Sequence, residues 1–280
     1  MLALKIEKYS YSKLDSFNTC PLKYKFIYID QIRKKDESIQ AFLGKIIHSC
    51  LEWIYIQKLD NKVSYFSLDQ ITNKFKEYWD ERWHSKIRFY QFRHPKKLSH
   101  FIKQKKNDYF TLGIKTLVNY YSKYGPNFNQ DVFRLEEKVE FQIKGFNFIS
   151  IIDRIDNDGS GNIKIIDYKT GKKNLTEKKM LKNLQMGIYS IAANSTFPEI
   201  NRDNITLTLF YTMNNKEVSI KASEFDSKNL KNQIIKNISE IKTCEETSSF
   251  DPKESNLCNW CYYWNECNAK TKDNPSLYLD

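Results

Sequence analysis

The sequence predicts an α/β fold in which helices flank a central mixed β-sheet, with an all-helical insertion at residues 60–130. Two observations carry this prediction. Apolar residues recur at helical spacing through residues 39–59, and the pattern changes to strand-like alternation at residue 135. Strand-like and helix-like segments then alternate up to residue 243, so we expect a single domain over residues 1–280.

Two helices are expected before the insertion. Residues 10–28 form a predicted helix that begins at Ser10 or Ser12, although Pro21 suits a turn or a helix start better than a helix interior. Residues 39–59 form the strongest predicted helix, because their apolar positions fall on one continuous face.

The remaining elements follow from changes of period and from turn residues. Further basic, aromatic helices are expected over residues 66–124, and Gly125-Pro126 ends them. The predicted strands cover residues 135–143, 146–155, 163–169, 205–213 and 217–222, and two more helices cover residues 176–194 and 226–243. Residues 245–280 are irregular and need a cross-link to become ordered.

The turn at residues 157–162 places two carboxylates together. If the hairpin is centred on Ser160, position i faces position 320 − i, so Asp153 lies opposite Asp167 on one face of the sheet. Lys169 follows two residues after Asp167 and projects from that same face. Two carboxylates this close repel each other unless a cation holds them, and Mg²⁺ or Mn²⁺ suits such oxygen ligands.

A surface salt bridge between Lys169 and one aspartate is the simpler interpretation of this pattern. The apolar residues Ile163, Ile165 and Ile166 favour a buried strand instead, and Thr170-Gly171-Lys172 follows as a tight, basic turn.

Three more side chains are candidates for the same site. His48 lies on the predicted helix 39–59, and it is either a core residue or a further metal ligand that reaches the sheet. Gln185 and Tyr189 are four residues apart on a helix, so they share a face that is either functional or an ordinary polar stripe.

Four of the six cysteines lie near the two ends of the chain. Cys20 stands alone, and Cys258, Cys261 and Cys267 have the spacing C-x2-C-x5-C. The first residues do not read as a secretory signal, and no apolar run approaches the ~18 residues of a membrane span, so we expect a cytoplasmic protein with reduced thiols and no membrane partner. Four thiolates indicate one soft-metal site, holding zinc or an iron–sulfur cluster, whereas Cys50 and Cys244 are buried or incidental thiols.

The charge distribution favours a polyanionic partner. Lysine and arginine number 45 against 34 acidic residues, a net charge of +11. Residues 82–106 hold nine of these cations and no acid, interleaved with aromatic residues, which is typical either of a single-strand channel or of a solvated helix face over core aromatics. The predicted nucleic-acid-binding residues are Arg88, Arg93, Lys96, Lys97 and Lys172.

The ordered motifs resemble those of the PD-(D/E)XK nuclease superfamily, in its RecB-like exonuclease branch. They are Gly44 and His48 as G-x3-H, Asp153-Arg154-Ile155-Asp156, Asp167-Tyr168-Lys169 followed by Thr170-Gly171-Lys172, and Gln185 and Tyr189 as Q-x3-Y. Asp167 stands where glutamate is common in the family.

The resemblance implies a restriction-endonuclease-like core and a role for each matching residue. His48, Asp153, Asp167 and the main-chain carbonyl of Tyr168 would bind catalytic Mg²⁺ or Mn²⁺. Lys169 would be the catalytic lysine, and Gln185 and Tyr189 would support the active site.

The cysteines match the iron–sulfur members of this branch. The resemblance implies that Cys20, Cys258, Cys261 and Cys267 hold a [4Fe-4S] cluster, with zinc as the alternative, and that the segment 245–280 closes onto Cys20. We expect the cluster to be structural.

The expected function is a metal-dependent DNA exonuclease that acts on single strands or ends in recombination or repair. No G-x4-G-K-[ST] phosphate loop occurs, so a helicase motor would have to be a separate partner, as would any recombination protein. A CRISPR-associated adaptation nuclease and a catalytically silent, zinc-held DNA-binding module are the alternatives.

Overall fold

The computed structural model describes residues 7–90, 98–270, 274 and 276–278. Its strands are β1 (Lys8–Tyr9), β2 (Glu37–Ser38), β3 (Ile87–Tyr90), β4 (Val132–Ile143), β5 (Phe146–Asn157), β6 (Ile163–Lys169), β7 (Ile205–Tyr211), β8 (Lys216–Lys221) and β9 (Ser276–Tyr278). Its α-helices are α1 (Tyr11–Thr19), α2 (Pro21–Tyr24), α3 (Ile39–Leu59), α4 (Leu68–Arg82), α5 (Leu98–Tyr124), α6 (Glu177–Met180), α7 (Leu184–Thr196) and α8 (Ser227–Thr247).

The central sheet is mixed, as predicted, with strand order β1-β5-β6-β7-β8 and β4 on the other edge of β5. Short turns fix the antiparallel pairs: Lys144 and Gly145, both with positive φ, join β4 to β5. In the β5–β6 turn, the Asp158 carboxylate accepts bonds from the N–H groups of Ser160 and Asn162.

Helices cover both faces of the sheet and divide the core in two. Beneath α1, α7 and α8, apolar side chains of β5 and β6 such as Ile155 and Ile165 form one cluster. On the opposite face, Ile166 and Phe210 pack with the buried residues of α3, α4 and α5. Within the described residues, no helix has the length and apolar character needed to cross a membrane.

Two helices predicted as continuous are broken. Cys20 adopts an extended conformation between α1 and α2, because the residue before Pro21 is sterically excluded from the helical region. The segment predicted as helix 176–194 is divided into α6 and α7, since Asn183 starts a new helix by accepting a bond from the N–H of Met186.

The insertion at residues 60–130 is mainly helical, but β3 is a strand that the sequence pattern did not reveal. It pairs in parallel with β2 and antiparallel with β9, forming a small second sheet. The side chains of Ile87 and Phe89 are buried in the core of the insertion.

Arg88, a predicted nucleic-acid-binding residue, lies on strand β3 and is buried. Arg88 is 5% exposed, and its guanidinium donates bonds to the Asp36 carboxylate (3.3 Å) and the Cys261 carbonyl (3.1 Å). Pairing of this strand with β2 and β9 accompanies the burial of the guanidinium. The predicted residues Arg93, Lys96 and Lys97 lie outside the described residues.

Candidate active site

A gap along one edge of β5 opens the candidate site. This edge pairs with β1 as far as Phe148 and with β6 from Arg154 onward. Between these two points, Ile149, Ser150, Ile151 and Asp153 line a cavity of about 460 Å³, which we call the cleft. Because β1 and β6 leave this part of the edge unpaired, side chains and main-chain groups of β5 face a cavity there and not a neighbouring strand.

The hairpin register brings the predicted carboxylates into this cleft. Arg154 pairs with Ile166 and Ile155 with Ile165, which are the pairs expected from centring the turn on Ser160. The ladder ends one pair before Asp153 and Asp167, and instead the Asp153 carboxylate accepts a 2.8 Å bond from the N–H of Tyr168.

Asp167 is the hub of a hydrogen-bonded network. Its Oδ2 lies 2.6 Å from Nζ of Lys169, and its Oδ1 accepts a 2.8 Å bond from Nε2 of Gln185. Gln185 Oε1 in turn accepts a 2.9 Å bond from Lys169, and the Tyr189 hydroxyl donates to the carbonyl of Ile151 at 2.8 Å. Asp167 is only 3% exposed, whereas the side chain of Lys169 is 36% exposed, so the ion pair joins a buried carboxylate to a partly exposed lysine in the cleft.

His48 reaches the cleft from α3 on the other face of the sheet. Its helix approaches closely because residue 44 is glycine: a Cβ there would lie 3.0 Å from Oγ1 of Thr170. Nε2 of His48 lies 3.0 Å from the carbonyl oxygen of Tyr168, and Nδ1 lies 3.4 Å from Oδ2 of Asp153. If Nε2–H donates to the carbonyl, a neutral His48 presents the lone pair of Nδ1 to a carboxylate, an arrangement that suits a cation.

The electrostatics of the site also favour a cation. Burial, and next the charge of Asp167, raise the pKa of Asp153 to about 7. Burial lowers the pKa of His48 below its ordinary value, which disfavours the imidazolium. Desolvation is the largest cause of both shifts, because burial disfavours the charged form of each group.

Glu136 is a member of the site that the sequence interpretation missed. It lies in β4 with a left-handed φ of 45°, and the register of its neighbours (Leu135 with Arg154, Glu137 with Ile152) places it across from Asp153. Among the described residues, His48, Glu136 and Asp153 form the group whose donor atoms all lie within 4.8 Å of one another.

A second cavity, of about 530 Å³, adjoins this group. Besides His48, Asp153 and Glu136, it is lined by Glu52 and by the cations Lys45 and Arg82. Desolvation, and next the charges of Asp153 and Glu52, raise the pKa of Glu136 to about 7. The sequence contains a signal that could have identified Glu136. A β4–β5 hairpin centred on the Lys144-Gly145 turn places Glu136 opposite Asp153.

The four terminal cysteines also converge. Cys20, Cys258, Cys261 and Cys267 line one cavity of about 250 Å³, which we call the cysteine cavity. Main-chain N–H groups of Lys253 and Ser255 donate to the sulfur atoms of Cys20 (3.3 Å) and Cys258 (3.4 Å), as suits thiolates.

The two remaining cysteines lie elsewhere. Cys50 is fully buried in α3, where burial raises the pKa of its thiol to about 12, and Cys244 lies in α8.

Lys172, the last predicted nucleic-acid contact, is exposed in the turn after β6.

Comparisons with known proteins agree with this architecture. The sequence matches the family model of the PD-(D/E)XK nuclease superfamily over residues 8–268. A search of curated proteins gives no significant match.

Two solved structures are similar in shape. One is a protein from Eubacterium rectale, provisionally named an exonuclease, with a TM-score of 0.52, 12% identity, and coverage of 95% of this chain and 90% of its own. The other, SSO0001, aligns with 62% of this chain and 79% of its own at 12% identity, and its TM-score of 0.33 is too low to support an argument. The match to the family model spans most of the chain, and the first structural likeness agrees with it in fold: the chain belongs to the PD-(D/E)XK nuclease superfamily.

Proposed function

We propose that this nuclease is a metal-dependent DNA exonuclease acting on single strands or ends. The observation that carries the proposal is the convergence of Asp153, Asp167 and Lys169 on the cleft, with His48 entering from the opposite side. Buried carboxylates, a lysine and an imidazole around one cavity are the groups needed for metal-assisted phosphodiester hydrolysis.

The proposed ligands of Mg²⁺ or Mn²⁺ are His48, Asp153, Asp167 and the main-chain carbonyl of Tyr168, with Glu136 as an addition. Carboxylate and carbonyl oxygens suit both ions, and one imidazole is compatible with Mn²⁺. A bound divalent ion supplies Lewis-acid stabilisation of charge on the phosphate and lowers the pKa of a bound water.

Lys169 is the proposed catalytic lysine. Its ammonium group stabilises the negative charge that builds on the phosphate oxygens during hydrolysis. Gln185 fixes its position, since one amide contacts both Lys169 and Asp167, and Tyr189 supports the same carboxylate from a distance of 3.3 Å. Preorganised donors of this kind need little rearrangement when charge develops.

The cysteine cavity is the proposed site of a structural [4Fe-4S] cluster. Four thiols around one cavity fit a soft metal centre. Tetrahedral zinc, with Zn–S bonds of about 2.3 Å, holds its sulfur atoms roughly 4 Å apart. Zinc is the alternative, since four thiolates suit either group.

The finer assignments rest on resemblance. The provisional name of the Eubacterium rectale protein and the RecB-like motif order support exonuclease specificity. A role in recombination or repair, a separate helicase or recombination protein as partner, and a cytoplasmic location belong to the same proposal. Lys172 is its exposed candidate for contact with DNA.

The test is cleavage of end-labelled linear DNA and of circular single-stranded DNA with Mg²⁺, Mn²⁺ or EDTA. An exonuclease shortens the linear strands when metal is present and leaves the circle intact. Cleavage of the circle would make the protein an endonuclease. Binding without cleavage under every condition would favour the silent DNA-binding module.

A further inference from the structure

We propose that the N-terminus of α1 and the hydroxyl of Ser150 form a second anion subsite in the cleft, which binds a phosphate adjacent to the one that is cleaved. The inference rests on the proposed function, because its ligand is a phosphodiester of the DNA substrate. It assigns a binding role to residues outside the proposed catalytic groups.

Helix α1 begins at the wall of the cleft. Ser10, Tyr11 and Ser12 all line the cavity that holds Asp153, Asp167 and Lys169. Ser10 is the N-cap, and its hydroxyl accepts a 3.2 Å bond from the N–H of Lys13. The N–H groups of Tyr11 and Ser12, at the first two positions of a nine-residue helix, have no intrahelical acceptor. They are therefore available to an anion, which the helix dipole also favours.

Ser150 is a second, independent indication of a ligand. It is 6% exposed and lines the cleft, yet its Oγ has no hydrogen-bond partner among the described residues. Phe148 and Ile152, two residues to either side, belong to the core beneath α1 and α7, so the Ser150 side chain faces α1. A buried hydroxyl without a partner is unfavourable, and a bound acceptor would satisfy it.

The chemistry of this pair suits a phosphate oxygen. A serine hydroxyl and two helix N–H groups are donors, whereas the carboxylates in the same cleft repel an anion and are the proposed cation ligands. The phenol of Tyr11 is engaged with Asp15; burial, and next the charge of Asp15, raise its pKa to about 12. This leaves the main chain of α1 and the Ser12 hydroxyl as the groups of that helix that face the substrate.

The subsite also fits the course of the strands. Phe148 is the last β5 residue paired with β1, and α1 starts two residues after β1 ends. The gap that exposes Asp153 thus has α1 and Ser150 at one end and Lys169 at the other. A DNA backbone lying along this gap presents successive phosphates to the two ends.

The test removes one charge from the DNA and one hydroxyl from the protein. A series of oligothymidylates carries a single neutral methylphosphonate, placed at each linkage in turn. Their affinities are measured in the presence of Ca²⁺ for two proteins, Lys169→Ala and Lys169→Ala with Ser150→Ala. At one linkage beside the scissile position, we expect neutralisation to weaken binding about tenfold when Ser150 is present and less than about twofold when it is absent. Ser12→Ala should act in the same direction.

Ser190→Ala is the matched control, because Ser190 is also buried but its hydroxyl donates to the carbonyl of Gly187 on α7. It should retain the full methylphosphonate effect. The Ser150→Ala protein should melt at the same temperature as the parent or higher, since it loses a hydroxyl with no partner, and a lower melting temperature would mean a structural role and overturn the subsite.

An equal methylphosphonate effect with and without Ser150 would also overturn it, because Ser150 would then bind at most a water molecule. Failure of the proposed function is a separate result: the unsubstituted protein would cleave no DNA with Mg²⁺ or Mn²⁺.

Discussion

The cleft and the cysteine cavity are built in opposite ways. The cleft lies on strands β5 and β6 and helix α7, and partly buried hydrogen bonds join its side chains to one another and to the main chain. The cysteine cavity joins residues at the two ends of the chain, at a helix break and in a short 3-10 turn. The difference teaches that neighbouring elements hold the cleft together, whereas the cysteine cavity requires contacts between segments far apart in the chain, such as the bond from the N–H of Lys253 to Cys20, 233 residues away.

The largest effect on the cleavage rate should come from Lys169. We expect Lys169→Ala to lower the cleavage rate about 10²- to 10³-fold, since one preorganised cationic donor is lost from the transition state. The melting temperature should fall as well, because the buried carboxylate of Asp167 loses the cation that pairs with it. Lys173→Ala, an exposed lysine four residues later, is the control in the same single-turnover assay.

Cys261→Ser should lower the stability of the protein before it lowers the cleavage rate. Cys20 and Cys258 are 238 residues apart, and losing a closure of this length costs about 2–5 kcal/mol by analogy with covalent cross-links. Denaturant unfolding and the visible absorption spectrum measure stability and cluster content together. Cys244→Ser is the control; full activity in a cluster-free protein of normal stability would refute a structural cluster.

Arg88→Met tests the interface between β3 and the cysteine segment. Removing one partner of a buried, hydrogen-bonded pair leaves Asp36 uncompensated, so we expect a loss on the order of 2 kcal/mol in stability. Lys103→Met removes the same charge from an exposed position in α5. If both variants instead reduce the salt dependence of DNA binding equally, Arg88 contacts DNA after all.

Glu136→Gln tests whether the cleft binds its ion through more than the predicted ligands. We expect Mn²⁺ affinity, measured by calorimetry, to fall about tenfold, within the range seen when groups around a metal site are removed. Glu137→Gln is the control, because Glu137 is the next residue on β4 and pairs with Arg134 instead. Unchanged affinity in Glu136→Gln would limit the site to His48 and the two aspartates.

A smaller predicted effect concerns the pH dependence of stability. It comes from Glu217, which lies outside both the cleft and the cysteine cavity. Burial raises the pKa of Glu217, but hydrogen bonds from Lys164, Lys123 and Tyr124 outweigh it and lower the pKa to about 2. Because the folded pKa is depressed, this stabilisation is complete above the ordinary value near 4.5 and is lost as pH falls from there to about 2. We expect a loss of about 1–2 kcal/mol, which Glu217→Gln should abolish in unfolding experiments.

Local signals predicted much of the cleft. The turn after Asn157 is short and rich in Asn, Asp and Gly, so it fixed the register that sets Asp153 near Asp167. Helix α3 covers Ile39–Leu59 as predicted, and the hydroxyl of Ser38 caps it by accepting a bond from the N–H of Ala41. Spacing alone put Gln185 and Tyr189 on one face of α7.

Other features depend on contacts between distant segments. The sequence pattern assigned Arg88 to a basic surface, whereas in the structure its strand lies between β2 and β9. Glu136 lies 17 residues from Asp153 and 88 from His48, and only the packing of α3 against the sheet brings the three together. The missing partner of Ser150 is likewise a property of the assembled cleft.

The amino-acid sequence by itself determined the order of elements, the hairpin register and the identity of the polar groups, because turns, caps and periodicity act over a few residues. Tertiary structure decided which polar groups are buried, which are paired and which face a cavity. Those properties depend on desolvation by segments far away in the chain, and no local pattern encodes them.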